Sequence, residues 1–161
     1  MTYAMKGSYV LLMKLPEEQR ITIGTSQAVH FPRGYDAYVG SAMGSFKSRL
    51  NRHIKRNKKA HWHIDYLRQR ASINDVILCE TGSRVECAIA RSLSRQFDFI
   101  PGFGSSDCKY RSHLFFASDE EQMKSKVMAN ISRLGIKPSL INCKDSERFS
   151  WRTERKRRWT L

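Results

Sequence analysis

The sequence predicts an α+β fold, and three observations carry that prediction. Residues 7–15 (GSYVLLMKL) and 73–79 (INDVILC) are apolar runs of strand length bounded by turn residues. Residues 83–97 space Val85, Ile89, Leu93 and Phe97 four apart, which is one face of a helix able to pack on a sheet. A length of 161 residues suits a single domain of average size with a terminal appendage, and no internal repeat divides it.

Taken in order, the strand at residues 7–15 is followed by Pro16-Glu17-Glu18-Gln19, a turn into a second strand at 20–24, so the two are expected to form a hairpin. A loop through Pro32, Arg33 and Gly34 leads to a third strand at 35–40, rich in Tyr and Val. A basic helix follows and is expected to end at 56–59. Residues 61–67 (HWHIDYL) read as a helical turn docked by Trp62, Tyr66 and Leu67. After the strand at 73–79 and the helix at 83–97, residues 101–107 form a glycine-rich loop and 113–117 (HLFFA) a short strand. Ser118 and Glu121 have capping-box spacing for a further helix that ends near Gly135, before Lys137-Pro138.

The stretch 34–63 is the chemical centre of the chain. At about 100° per residue, Phe46, Leu50 and Ile54 share one narrow stripe, with Arg49 and His53 at its border. Lys47, Asn51 and Lys55 point away from it. Lys47, Arg52, Lys55, Arg56, Lys58 and Lys59 therefore give the helix a solvated cationic surface. Two ionisable side chains are left at the edge of a core.

The totals agree with a polyanionic partner. Twenty-nine Lys and Arg against fifteen Asp and Glu leave a formal charge of +14, which makes nucleic acid the default ligand. The end of the chain repeats the theme: Arg148, Trp151, Arg152, Arg155, Lys156, Arg157 and Arg158 interleave phosphate-neutralising cations with aromatics able to stack on bases. The bland alternative is a solubilising terminal segment. No apolar run approaches the roughly 20 residues of a spanning helix, and no signal peptide opens the chain, so it is expected to be cytoplasmic and away from membranes. Cys79, Cys87, Cys108 and Cys143 form no C-x-x-C pair and are expected to be reduced thiols.

Among residues that can carry chemistry, Glu86 is the most informative. It falls within the apolar arc of its helix, where a carboxylate needs a metal, an Arg or hydrogen-bond donors. Ser83-x-x-Glu86 is also a capping box, and spacing alone favours that reading. Tyr9 and Tyr38 lie in apolar strands near Gly7 and Gly40. A phenol of pKa about 10 acts as a base only beside a cation, for which Arg49 and His53 are the candidates. His61, His63 and Asp65 would share one face if extended and are a weaker metal-ligand candidate. Asp107, Ser112 and His113 flank the glycine-rich loop and are placed to face the same cleft.

These pieces, in this order, resemble the GIY-YIG nuclease superfamily. The runs YVGSAMGSFKSRLNRH, HWHIDYL, VECAIA and PGFGSSDCKYRSHLFF are more closely similar to its branch of small prokaryotic proteins, the Uri-superfamily endonucleases. The resemblance covers residues 6–117. It implies a small central antiparallel or mixed sheet flanked by helices, with a nuclease domain at 1–117 and a C-terminal helix and basic extension at 118–161. It also implies a metal-dependent DNA endonuclease acting in DNA repair or processing. Tyr9 or Tyr38 would activate or position the attacking water, Glu86 would hold Mg²⁺ or Mn²⁺, Arg49 would steady charge on the phosphate, and His53 would assist proton transfer. There are departures: Ser8 stands where the first motif has Ile, the interval from Tyr9 to Tyr38 is long, and the late Asn has no counterpart, Ser112 or His113 being the candidate replacements. The alternative is a non-catalytic nucleic-acid-binding module on a nuclease-like fold. RNA remains a possible ligand, and an RNA-associated protein of the translation machinery is a third reading.

Overall fold

The computed structural model describes residues 6–24, 28–55, 59–60, 62–104 and 112–143. The architecture is α+β: a six-stranded antiparallel sheet with helices packed on both faces and a separate two-stranded ribbon. Strands β1 (Gly7–Leu15), β4 (Gly34–Ala42) and β5 (Ser72–Glu80) form its centre. β6 (Asp98–Phe99), β7 (Leu114–Ala117) and β8 (Ser139–Asn142) complete the order β6-β7-β4-β1-β5-β8.

β1 does not form the hairpin expected of it. β2 (Gln19–Thr22) pairs instead with β3 (Ala28–Phe31), a stretch for which no strand was expected. The reason lies in burial. Every residue of β1 except Lys14 is buried, so the strand needs a partner at each edge and finds β4 and β5. β2 alternates half-buried with exposed positions, a pattern suited to a ribbon that covers the core with one face.

Two apolar layers result. Tyr9, Leu11, Met13 and Leu15 point from β1 towards α1 (Phe46–Ile54), α2 (His63–Arg68) and the β2–β3 ribbon. Val10 and Leu12 point the other way, towards α3 (Glu86–Ser94) and α4 (Glu120–Arg133). The predicted stripe of α1 holds: Phe46, Leu50 and Ile54 are buried, together with His53. α1 is shorter than expected and ends at Ile54.

Both predicted capping boxes fail. α3 starts at Glu86, with Val85 as its N-cap and no side-chain cap, so Ser83 lies outside the helix and Glu86 cannot close a box with it. α4 is capped by Asp119, whose carboxylate accepts from the Gln122 amide. Its C-terminus is as read. Gly135 adopts φ 81°, and the amides of Gly135 and Ile136 return to Ser132 and Ile131, a Schellman closure.

Cys79 and Cys143 are buried, and burial pushes the Cys79 thiol up to about 12. Cys87 is disulfide-bonded, which corrects the expectation of four reduced thiols. Among the described residues no helix is long and apolar enough to cross a membrane.

Candidate functional site

The site lies where β1 begins and β4 ends. Tyr9 and Gly40 are Cα partners, and a Cβ on Gly40 would fall 2.4 Å from the Tyr9 ring and hydroxyl. The phenol therefore lies across the Gly40 backbone, and only glycine leaves it room. Two residues back on the same face, Tyr38 presents its ring to Gly104, where an added Cβ would meet it at 3.1 Å. His53 arrives from α1. Its Nε2 is 2.6 Å from the Tyr9 hydroxyl, and its ring packs 5.4 Å from Tyr9, 6.1 Å from Tyr38 and 6.1 Å from Trp62.

Two devices fix the basic helix against these strands. Buried Arg68 donates to the carbonyls of His53, Ile54 and Ala71, so the open C-terminus of α1 is satisfied by a guanidinium and the helix stops there. Trp62 is held between two guanidinium groups, with Arg49 and Arg52 each 4.5 Å from its ring centroid. Buried Asp65 anchors this stack, accepting from Arg52 at 2.6 Å and from the Trp62 amide at 2.8 Å. The Arg49 guanidinium also faces the Tyr9 hydroxyl closely enough to oppose the rise in its pKa.

Glu86, the first residue of α3, comes from the opposite layer. Its carboxylate is 14% exposed and its contacts are long, 3.8 Å to His113 Nδ1 and 3.8 Å to the Arg84 guanidinium. His113 Nδ1 donates to the Val39 carbonyl at 3.2 Å, and burial lowers its pKa, so it is neutral at pH 7. Of the two candidates for the missing Asn, His113 is the one beside Glu86. Ser112 turns to its own strand, its hydroxyl donating to the Leu114 carbonyl and accepting from the Leu114 amide.

Burial dominates the electrostatics. It raises the Tyr9 phenol well above its usual value, with Tyr38 and Glu86 adding to the rise and Arg49 opposing it. Tyr38 is raised by burial and then by Glu86, again against Arg49. Both phenols are therefore protonated at neutral pH. The Tyr9 hydroxyl is hydrogen-bonded to His53 Nε2, with the Arg49 charge acting on the same phenol.

Tyr9, Tyr38, Arg49, His53 and Glu86 are thus brought together from four elements. Lys47, Lys55 and Lys59 are exposed, as a binding surface requires. Arg52 is two-thirds buried in its pair with Asp65, a wall of the site more than an outer contact. Arg56, Lys58, His61, Asp107 and the tail residues Arg148, Trp151, Arg152, Arg155, Lys156, Arg157 and Arg158 lie outside the described residues. The extended His–His–Asp arrangement does not form, because 63–68 is helical. His63 Nδ1 accepts from the Gly104 amide at 2.9 Å, and Asp65 is committed to Arg52 and the Trp62 amide. No group of three or more metal-ligating side chains exists among the described residues. A single partly buried carboxylate with loose partners still suits Mg²⁺ or Mn²⁺, since such ions keep waters and take substrate phosphate oxygens as ligands.

Sequence reasoning missed Arg68 and the role of Trp62. An Arg in an apolar helical turn after a helix with no glycine stop was the available signal for the first. For the second it was the Arg49, Arg52 and Trp62 trio, whose proximity no spacing rule gives.

A family model described as a domain of unknown function, DUF123, matches residues 8–136, most of the chain, and the protein belongs to that family. No curated protein and no solved structure matches significantly.

Proposed function

We propose that the protein is a metal-dependent DNA endonuclease of the GIY-YIG type, close to the Uri-superfamily branch, acting in DNA repair or processing. The observation that carries this reading is the convergence of Tyr9, Tyr38, Arg49, His53 and Glu86, residues up to 77 positions apart in the sequence, at one end of the sheet. Glu86 would hold Mg²⁺ or Mn²⁺, and the ion when bound supplies positive charge at the phosphate and lowers the pKa of coordinated water. Arg49, held by Trp62, presents a permanent cation to the phosphate oxygens and to the charge that grows on them. Tyr9 positions the attacking water, and its hydrogen bond to His53 gives the released proton a path to the imidazole. Tyr38 closes the opposite side of the cleft and limits water there. Lys47, Lys55 and Lys59 draw the backbone towards it.

The raised phenol pKa values favour a second reading, a nucleic-acid-binding module without turnover, because neither Tyr9 nor Tyr38 is ionised at rest. One experiment separates the two. Purified protein is incubated with duplex, branched and single-stranded DNA in Mn²⁺ and compared with Glu86→Gln. The nuclease reading predicts cutting that the variant loses while binding persists. Binding by wild type without any cutting supports the module.

A further inference from the structure

A cavity opens at the far end of β1 and β4, on the opposite face of the sheet from Tyr9 and Tyr38. Its volume is about 480 Å³, within the range of small-molecule sites, and Lys14, Arg33, Tyr35 and Ser118 line it. Lys14 and Tyr35 are Cα partners, so the ammonium stem and the aromatic ring stand side by side. Arg33 arrives from the loop before β4. Gly34 takes φ +141°, and a Cβ there would fall 2.7 Å from the Ala117 carbonyl, so the backbone closes tightly against Ala117 to form the floor. Both cations are exposed, and neither is paired with a carboxylate among the described residues. Asp119, next to Ser118, is turned away to cap α4.

We propose that this cavity is a phosphate-binding subsite for a single-stranded segment of the nucleic acid, with Lys14 and Arg33 on phosphodiester oxygens and Tyr35 beside the sugar or base. Two cations, a hydroxyl and an aromatic are the groups that hold a strand without reading its sequence. The choice of single strand follows from placement. Five residues of β1 separate Lys14 from Tyr9, roughly 17 Å at strand spacing, and the two side chains project to opposite faces. A duplex, stiff over a persistence length of about 150 base pairs, lies along one side of a small domain. A single strand bends round the sheet end and reaches both.

The choice of a single strand and the link to cleavage rest on the proposed function, whereas Lys14 and Arg33 as a phosphate site do not. The test is therefore a binding measurement in EDTA, using fluorescently labelled oligo-dT and a hairpin duplex at several salt concentrations, with wild type and the Lys14→Gln/Arg33→Gln variant. A thermal melt of both proteins checks folding. The expected result is weaker oligo-dT binding, with the slope of log K against log salt shallower by about 1.4, and unchanged duplex binding. Unchanged oligo-dT binding, or equal losses for both ligands, overturns the proposal. So does dTMP competing as well as oligo-dT at equal concentration, since the cavity would then serve a free nucleotide. Absence of cleavage by wild type would refute the nuclease reading and leave this result standing.

Discussion

The two faces of the sheet are built on different terms. On the α3/α4 face Val10, Leu12, Val39, Ile77, Ile89, Leu93 and Ile131 pack as a nearly apolar layer with few buried polar side chains. Asn130 accepts from Ser92 and donates to the Lys126 carbonyl, while Asp75 pairs with Lys124 at 3.3 Å. On the α1/α2 face Tyr9, Asp36, Tyr38, His53, Asp65 and Arg68 sit in or against the core, and most of them converge on one end of the sheet. Buried polar groups cost stability unless fully paired, so the difference sets the α1/α2 face apart as the one on which the proposed reaction centre is built. Glu86 joins them because it is the first residue of a helix whose remaining buried side chains are ordinary core.

If the faces are independent in this way, removing core volume from the α3/α4 layer should cost stability and little else. Leu93→Ala is expected to lose about 2–5 kcal/mol in urea denaturation while cleavage per folded molecule stays near wild type. A parallel collapse of cleavage would break the comparison.

Asp36 sharpens it from the other side. The residue is 1% exposed, neither carboxyl oxygen has a hydrogen-bond partner among the described residues, and burial raises its pKa from 3.8 to about 7. A carboxyl that is protonated when folded and ionised when unfolded makes stability fall as pH rises from about 4 to 7, with no further loss above that. Asp36→Asn should flatten this slope and raise stability at pH 8 by up to about 4 kcal/mol, the shift converted at about 1.4 kcal/mol per unit. Melts of both proteins from pH 4 to pH 8 check it. Parallel curves would mean that the carboxyl finds a partner.

Arg49→Ala should slow cleavage by about 10²–10³-fold, the cost of losing one preorganised charge at a reacting group. Arg49→Lys should recover only part of this, since an ammonium keeps the charge but cannot stack on Trp62 as the planar guanidinium does. The smallest effect is expected from Trp62→Leu. Its loss removes two cation–π contacts worth about 0.5–1 kcal/mol each and should lower kcat more than it raises KM. A change confined to KM would make Trp62 a substrate contact.

How much of this was legible in the sequence depends on the range of the forces involved. The α1 stripe, with Arg49 and His53 on its border, follows from periodicity alone, because side-chain direction in a helix is a local property. β1 and β5 were legible as apolar runs for the same reason. The partner of β1 was not, since Pro16 and the following turn residues look like a hairpin and only the burial of both faces of β1 excludes it. β6 and β8 are too short to show a pattern. The capping box at Ser83 misled because three-residue spacing matches by chance, and the helix start is set instead by where Ile89, Ala90 and Leu93 meet the sheet. Trp62 between Arg49 and Arg52, and Arg68 under the end of α1, depend on the packing of α2 against α1, which no local rule describes.

The central claim is that Glu86 is the metal-holding carboxylate of a cleft shared with Tyr9, Tyr38, Arg49 and His53. Its most direct test is Mn²⁺ binding to wild type and Glu86→Gln, read by electron paramagnetic resonance of free Mn²⁺ in the presence of an uncleaved DNA. The account predicts that wild type removes Mn²⁺ from solution and that the variant, still folded and still bound to DNA, does not. Equal Mn²⁺ uptake by the two proteins would contradict it.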